Sequence, residues 1–282
     1  MSGIDIDHLR QWIGRRETLN DLVSAAPLAA LAATLDREEA CAVVPPLAHW
    51  LSFLPIVPMA AVGPDGHPAR GGFLPPVPLP RRMWAGSRLG FHQPVQVGDS
   101  VQRISEITDV QLKQGQGGAL VFVKVRHTVT GPAGGDAITE EQDIVYRDDP
   151  RPGEAPAPPR PAPEQAAWRR TIHPDPVLLF RFSALTFNGH RIHYDRAYAT
   201  GVEGYPGLVV HGPLIATLLV DLVRRERPDA RLTAFRFRAV RPLFDTASFE
   251  VCGQPTQDGR SVSLWARDTG GALCMEATAD LA

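Results

Sequence analysis

Apolar and polar positions alternate along two long stretches of the chain. From about Arg88, the runs "SRLGFHQPVQVGDSVQRISEITDVQLKQG", "GALVFVKVRHTVTG" and "DAITEEQDIVYRD" repeat with a period of two and are divided by glycine turns, which predicts an antiparallel meander. The same pattern returns near the end in "RLTAFRFRAVRPLF", "ASFEVCGQPT", "RSVSLWARD" and "ALCMEATADL", joined by "QDG" and "DTGG", turn sequences that reverse a strand. Between the two stretches, "GPLIATLLVDLVRRERP" has a helical period. Leu214, Leu218, Leu219 and Leu222 share one face, and Ile215 and Val220 make the opposite side apolar too, so the helix is expected to be buried nearly all round. Pro213 suits its first turn, Arg224, Arg225 and Arg227 its last, and Pro228 stops it. Near the N-terminus, Thr18 to Leu35 reads as mostly helical, interrupted at Pro27. Pro55 to Pro80 is too rich in proline for regular structure.

In "RDDPRPGEAPAPPRPAPEQ", Arg147 to Gln165, proline and alanine replace every periodic pattern, and an extended connector is expected there. Residues 1–150 and 169–282 are therefore read as two domains joined by a linker over 151–168. A buried helix wrapped by an antiparallel sheet is the outline of a hot-dog fold. The first domain shows the same strand series with a less clear helix, so the chain is read as two degenerate copies, an α+β double hot dog.

The 282 residues are 44% hydrophobic, enough to fill real cores. With 29 Lys and Arg against 31 Asp and Glu, no broad positive field exists to gather nucleic acid. Cys41, Cys252 and Cys274 have no CxxC spacing and are read as buried apolar residues in a reducing cytosol. No apolar leader and no bilayer-length segment are present, so a cytoplasmic protein without a membrane partner is expected.

Chemistry concentrates in "FNGHRIHYD", Phe187 to Asp195, where His190 and His193 stand three residues apart. They face opposite ways in a strand but neighbour one another in a helical turn, and the sequence alone leaves both geometries open, as it does a plain polar loop. Zinc lacks a ligand set, since His211 and Asp195 supply no HExxH or cysteine spacing. A nucleophilic serine lacks its GxSxG elbow, and the glycines of "EGYPGLVVHGPL" do not follow GxGxxG order. This second run does supply a helix start. With Gly212 at the cap and Pro213 beside it, the Gly212 amide lies at the positive helix end, where charge developing on an oxygen is stabilised.

Taken together, "FNGHRIHYD" and "EGYPGLVVHGPL" closely resemble the MaoC-like hydratases and dehydratases. The resemblance is to the branch that holds type-2 3-hydroxyacyl-thioester dehydratases and bacterial mesaconyl-C4-CoA (itaconyl-CoA) hydratases. "HWLSFLP", "LPRRMWAG", "VGDSVQRISEITDV" and "GGALVFVKVRH" extend the likeness from about Trp50 onward. It implies a double hot dog whose C-terminal half keeps the chemistry while the N-terminal half shapes an acyl-CoA site. The usual pattern in this superfamily runs aspartate, any residue, asparagine, proline, any residue, histidine, any residue, aspartate. Here the histidine falls on His193 and the last aspartate on Asp195, but the first aspartate position is Asn188. An amide cannot take a proton from water. The resemblance therefore implies His193 as sole general base, Asn188 orienting the water, His190 positioning water or ring, and the Gly212 N–H holding the enolate of a hydrated 2-enoyl-CoA, with no metal or redox cofactor.

For the substrate, Arg81, Arg82 and Arg88 with Trp84 are candidates for the coenzyme A phosphates and base. Arg191 or Arg181 is expected to pair with the second carboxylate of a C5 dicarboxylic acyl group, and His211 completes the candidate binding set. The reaction favoured by resemblance converts itaconyl-CoA or mesaconyl-C4-CoA to citramalyl-CoA. The rivals are dehydration of longer 3-hydroxyacyl thioesters in fatty-acid metabolism and a hot-dog module that binds acyl-CoA without turnover. Edge-to-edge pairing of sheets makes a homodimer plausible.

Overall fold

The alternating runs form strands. In the computed structural model, which describes residues 3–38, 42–115, 118–149 and 158–282, the meander becomes β3 (Ser100–Gly115), β4 (Gly118–Thr130) and β5 (Asp136–Arg147). The C-terminal runs become β7 (Leu232–Ala239), β8 (Phe249–Pro255), β9 (Ser261–Asp268) and β10 (Leu273–Leu281). Three strands complete the set: β1 (Arg16–Leu22), β2 (Arg81–Phe91) and β6 (Trp168–Ile172).

All ten lie in one antiparallel sheet, ordered β1-β3-β4-β5-β2-β7-β10-β9-β8-β6. Each half therefore arranges its strands first, third, fourth, fifth, second, and the two second strands, β2 and β7, join the halves. This is the repeat expected of two hot dogs. The C-terminal copy keeps its central helix, α5 (Gly212–Glu226), packed on β6, β8, β9 and β10. Ten consecutive residues, Leu214 to Val223, are buried, as an apolar surface on both sides requires. The one carboxylate among them, Asp221, is 1% exposed and is met by Arg37 from the N-terminal half at 2.9 Å, Arg170 of β6 at 2.7 Å and Arg225 at 2.7 Å. A charge so deep is tolerated only when it is fully paired.

The N-terminal region departs from the sequence reading. Thr18 to Leu22 is not helical but belongs to edge strand β1, whose burial alternates along its length against β3. The helix begins later, as α2 (Ala25–Thr34), with Pro27 in its first turn, where a missing N–H costs no hydrogen bond. A short α1 (Ile6–Arg10) precedes both. Between α2 and β2 the described residues hold only two 3-10 turns, Ala48–Leu51 and Met59–Ala61, so among the described residues this half shows no helix of the length and burial of α5. β2 starts at Arg81 rather than near Arg88. β6 and two helices, α3 (Pro176–Leu185) and α4 (Arg196–Gly201), come before α5. The expected break falls between the end of β5 at Arg147 and the start of β6 at Trp168; linker residues 150–157 and Cys41 lie outside the described residues. Cys252 and Cys274 are buried free thiols. No helix of the described chain is long and apolar enough to cross a membrane.

Candidate active site

The run from Phe187 to Asp195 folds as a compact connector between two helices. α3 opens on Asp175, whose side chain accepts from Leu178 N, and the chain leaves it through Phe187, held in the left-handed region at φ 50°. Asn188 Oδ1 then accepts from His190 N at 3.0 Å, closing a local turn. Arg191–His193 form one 3-10 turn, and Asp195 caps α4 by accepting from Tyr198 N at 3.0 Å. The helical alternative thus holds for the histidine pair, and the rings of His190 and His193 meet edge to face at 5.4 Å.

His193 is 7% exposed, and its Nδ1 lies 2.7 Å from the carbonyl oxygen of Val209. A carbonyl only accepts, so Nδ1 carries the proton and Nε2 keeps the basic lone pair. The opposite face of the ring stacks on His211 at 3.7 Å and 18°. His211 itself is fully buried, with Nε2 2.8 Å from Ser183 Oγ. It braces the back of His193 and cannot touch a substrate, which corrects its expected binding role. His211 also caps α5, making Gly212 the first helical residue rather than the cap. Its N–H belongs to the first turn, which has no acceptor within the helix. An atom at the position of a Gly212 Cβ would lie 4.0 Å from the carbonyl oxygen of Trp84 on β2. The N-terminal half thus borders the helix start without filling it.

Two residues absent from the sequence reading complete the group. In the proline-rich stretch, His67 Nδ1 lies 3.1 Å from Asp65 Oδ2, and the His67 ring sits 4.0 Å from that of His190. The loop is docked by backbone contacts: Arg191 N donates to Asp65 O at 2.9 Å and Arg191 Nη1 to Pro64 O at 3.1 Å. Glycines make this approach possible. A Cβ on Gly66, at φ +90°, would meet Gly189 O at 1.8 Å, and one on Gly189 would meet Gly66 O at 2.7 Å. Four imidazoles therefore form a row, His67, His190, His193 and His211, with Asp65 at one end and Ser183 at the other. Asp65, His67 and His190 offer donor atoms within 4.8 Å of one another. The carboxylate is already hydrogen-bonded to an N–H of His67, and the positive charges of Arg82 and Arg70 act on the same ring, which disfavours a cation there.

Burial keeps this row neutral. Desolvation pulls His193 down to about 4 and His190 to about 2, and it also depresses His67 and His211. Asp65 moves the opposite way from what its burial favours, because the hydrogen bonds that it accepts from the side chain and backbone of His67 hold its carboxyl below the usual range. In the N-terminal half, burial likewise brings His127 to about 4. Below about pH 6.5 the unfolded chain takes up protons that native His193 and His127 refuse. Their stabilisation is full above that pH and is lost on acidification, by at most roughly 1.4 kcal/mol per pH unit for each histidine. Urea midpoints at about pH 7.5, 6 and 5 are expected to fall in that order. A flat profile would show that these rings protonate as freely in the native protein.

The remaining candidates separate clearly. The Arg191 guanidinium holds Asp195 Oδ2 through Nε at 3.0 Å and Nη2 at 2.8 Å and stacks 4.2 Å over Tyr198, so it serves the turn and not a ligand carboxylate. Arg181 is exposed on the side of α3 away from buried Leu179 and Ser183. Trp84 is packed, not free for stacking: its Nε1 donates to Ser87 Oγ at 2.9 Å and its ring meets Trp50 at 5.0 Å. Arg81 is tied to Asp149 and Glu203, and Arg88 to Glu141 and Asp143. Asn188 Oδ1, expected to orient water, is engaged with His190 N.

Arg82 differs from all of these. It is half-buried on β2 opposite Tyr146, its charge lowers both His67 and His190, and no carboxylate among the described residues pairs with it. Its neighbour Arg70 donates to the carbonyls of Val77, Leu79 and Pro80.

Comparison with known proteins gives a consistent picture. The family model "Hydroxyacyl-thioester dehydratase type 2" matches residues 47–245. A mesaconyl-C(4)-CoA hydratase of Chloroflexus aurantiacus is 47% identical over 281 residues, covering 96% of either chain. The mitochondrial hydroxyacyl-thioester dehydratase type 2 of Schizosaccharomyces pombe is 26% identical, covering 83% of this chain and 88% of its own. A Mycobacterium tuberculosis protein described as a double hotdog fold superposes with a TM-score of 0.55 at 16% identity, covering 96% of each chain, a likeness of fold alone.

Proposed function

The chain belongs to the hydroxyacyl-thioester dehydratase type 2 family, and from that premise we propose that it is a hydro-lyase adding water reversibly across the double bond of a C5 dicarboxylic enoyl-CoA. The substrates we assign are itaconyl-CoA and mesaconyl-C4-CoA, and the product is citramalyl-CoA. The likeness to the Chloroflexus hydratase supports the substrate class. The observation that carries it here is Arg82, a half-buried cation interacting with the Tyr146 hydroxyl and without a carboxylate partner among the described residues, whose charge acts on His67 and His190. Mesaconyl-C4-CoA bears its second carboxylate on the β-carbon, the atom that water attacks. A cation for that carboxylate must therefore stand beside the proton-transfer groups, as Arg82 does, and not out among the phosphates of coenzyme A. A fatty-acyl substrate would bring no carboxylate to Arg82, whose charge would then be met by the Tyr146 hydroxyl and not by a counter-charge.

In this reading the thioester oxygen lies against the Gly212 N–H, where the helix end stabilises the charge that flows onto it as water attacks. The Nε2 lone pair of His193, fixed by the Val209 carbonyl, accepts a hydrogen bond from the attacking water and aims it. No metal or redox cofactor enters the scheme, so chelator treatment is expected to leave the rate unchanged. The test follows the loss of enoyl-thioester absorbance with mesaconyl-C4-, crotonyl- and long-chain enoyl-CoA, and the formation of citramalyl-CoA by chromatography with itaconyl-CoA, whose methylene double bond is not conjugated to the thioester. The dicarboxylic pair should be preferred by at least about tenfold in kcat/KM, the size of one charge-assisted contact. Equal turnover of crotonyl-CoA removes the substrate assignment, and preference for a long chain replaces it with the fatty-acyl one.

A further inference from the structure

A general base ends its step as a cation, so the four imidazoles can be sorted by whether anything near them can hold a charge. His211 is sealed in the core. His193 is nearly so, with Nδ1 committed to Val209 O and its face against the neutral His211 ring. The nearest acidic residue in sequence, Asp195, is tied to Arg191 and to the α4 cap. His190 has rings on two sides, His67 and His193, and no carboxylate hydrogen-bonded to it. Only His67 has such a partner, Asp65, on the ring nitrogen remote from the basic one. Because a carboxylate at neutral pH only accepts, His67 Nδ1 carries hydrogen and Nε2 is the free base. This orienting arrangement also stabilises the imidazolium that forms.

We propose that His67, contributed by the N-terminal half and oriented by Asp65, is the general base of the hydration, taking the place that Asn188 vacates in the C-terminal motif. The inference rests on the hydratase reading. In the step, a water O–H bond breaks and its proton passes to His67 Nε2 while the oxygen bonds to the β-carbon. The π pair moves through the α-carbon onto the thioester oxygen at Gly212. Collapse of that enolate draws the proton from His67 Nε2 to the α-carbon, which restores the neutral ring. His193 keeps the second water hydrogen in a hydrogen bond throughout. A substrate carboxylate on Arg82 offsets part of the positive field that weighs against charging His67. The other groups facing the ring are Asp65, His190 and Arg70.

The test compares His67→Gln, Asp65→Asn and Asp65→Glu with the wild type on mesaconyl-C4-CoA, over pH. Loss of a general base lowers kcat by about 10²–10⁴-fold, and His67→Gln should fall in that range with KM within about threefold. Asp65→Asn should lower kcat by at least about tenfold and shift the acid limb of kcat/KM to lower pH, because the imidazolium loses its counter-charge. Asp65→Glu should recover most of that loss, and thermal midpoints near wild type exclude collapse of the loop. An acid limb of Asp65→Asn at the wild-type position, or His67→Gln within about threefold of wild-type kcat, overturns the assignment. Those results require an active wild type; a wild type inert on every enoyl-CoA sinks the hydratase reading instead.

Discussion

His193→Ala is expected to lower kcat for hydration by about 10²–10⁴-fold, the range for a group that handles the transferred proton or its water. The side chain is fixed from two directions, by Val209 O at Nδ1 and by the His211 ring on its face, so its one free atom, Nε2, has a defined aim. Alanine removes that atom. It also leaves the Val209 carbonyl without its donor, at about 1–3 kcal/mol of stability, and the thermal midpoint should drop with the rate. His193→Gln separates the two effects because its amide can still donate to Val209 O: the midpoint should recover while kcat stays low. If His193→Ala retains wild-type kcat, the imidazole row is packing. An inactive wild type that binds acyl-CoA as tightly as His193→Ala does would indicate the module without turnover.

Arg82→Met should have the second large effect, and a selective one. Losing a charge-assisted contact of about 1.5–3 kcal/mol lowers kcat/KM for mesaconyl-C4-CoA by about 10–150-fold, while crotonyl-CoA, with no second carboxylate, should be hydrated no more slowly than before. Arg191→Ala should behave differently. Its guanidinium joins Asp195 to the loop carbonyl of Pro64, so both substrates should suffer alike as the Asp65–His67 loop loosens. Selective loss of the dicarboxylic substrate in Arg191→Ala, with Arg82→Met unaffected, would return the carboxylate site to Arg191.

These two arginines show what sequence could and could not tell. Period-two runs and the Pro213 and Pro228 boundaries made the C-terminal strands and α5 legible, because their burial is set by local pattern. β1 and β6 were not: β1 is a half-buried edge and β6 has five residues, and neither sequence, "RETLNDL" or "WRRTI", alternates apolar with polar residues although the burial of both strands alternates. α3, "PVLLFRFSAL", lacks a clean polar face. At the site, His190 and His193 were legible because they are three residues apart, and Gly212 because a proline follows it. Arg191 looked right for a carboxylate by sequence proximity alone, whereas Asp195 sits one helical turn away and takes it. Asp65 and His67 lay in a stretch dismissed for its prolines, and nothing local links Gly66 to Gly189. Asn188, in place of an aspartate, left His193 as the sole general base in the sequence reading, and no local pattern connected it to Asp65 or His67.

The acyl group is expected where the loops around Gly66 and Gly189 meet the start of α5. A crystal structure with a saturated C5 dicarboxylic CoA thioester, which has no double bond to hydrate, tests this placement most directly. The thioester oxygen should lie about 2.7–3.2 Å from Gly212 N, with the second carboxylate on Arg82 and the β-carbon facing His193 Nε2 and His67. An acyl group bound away from the imidazole row, with Gly212 N turned to solvent or protein, would contradict that placement.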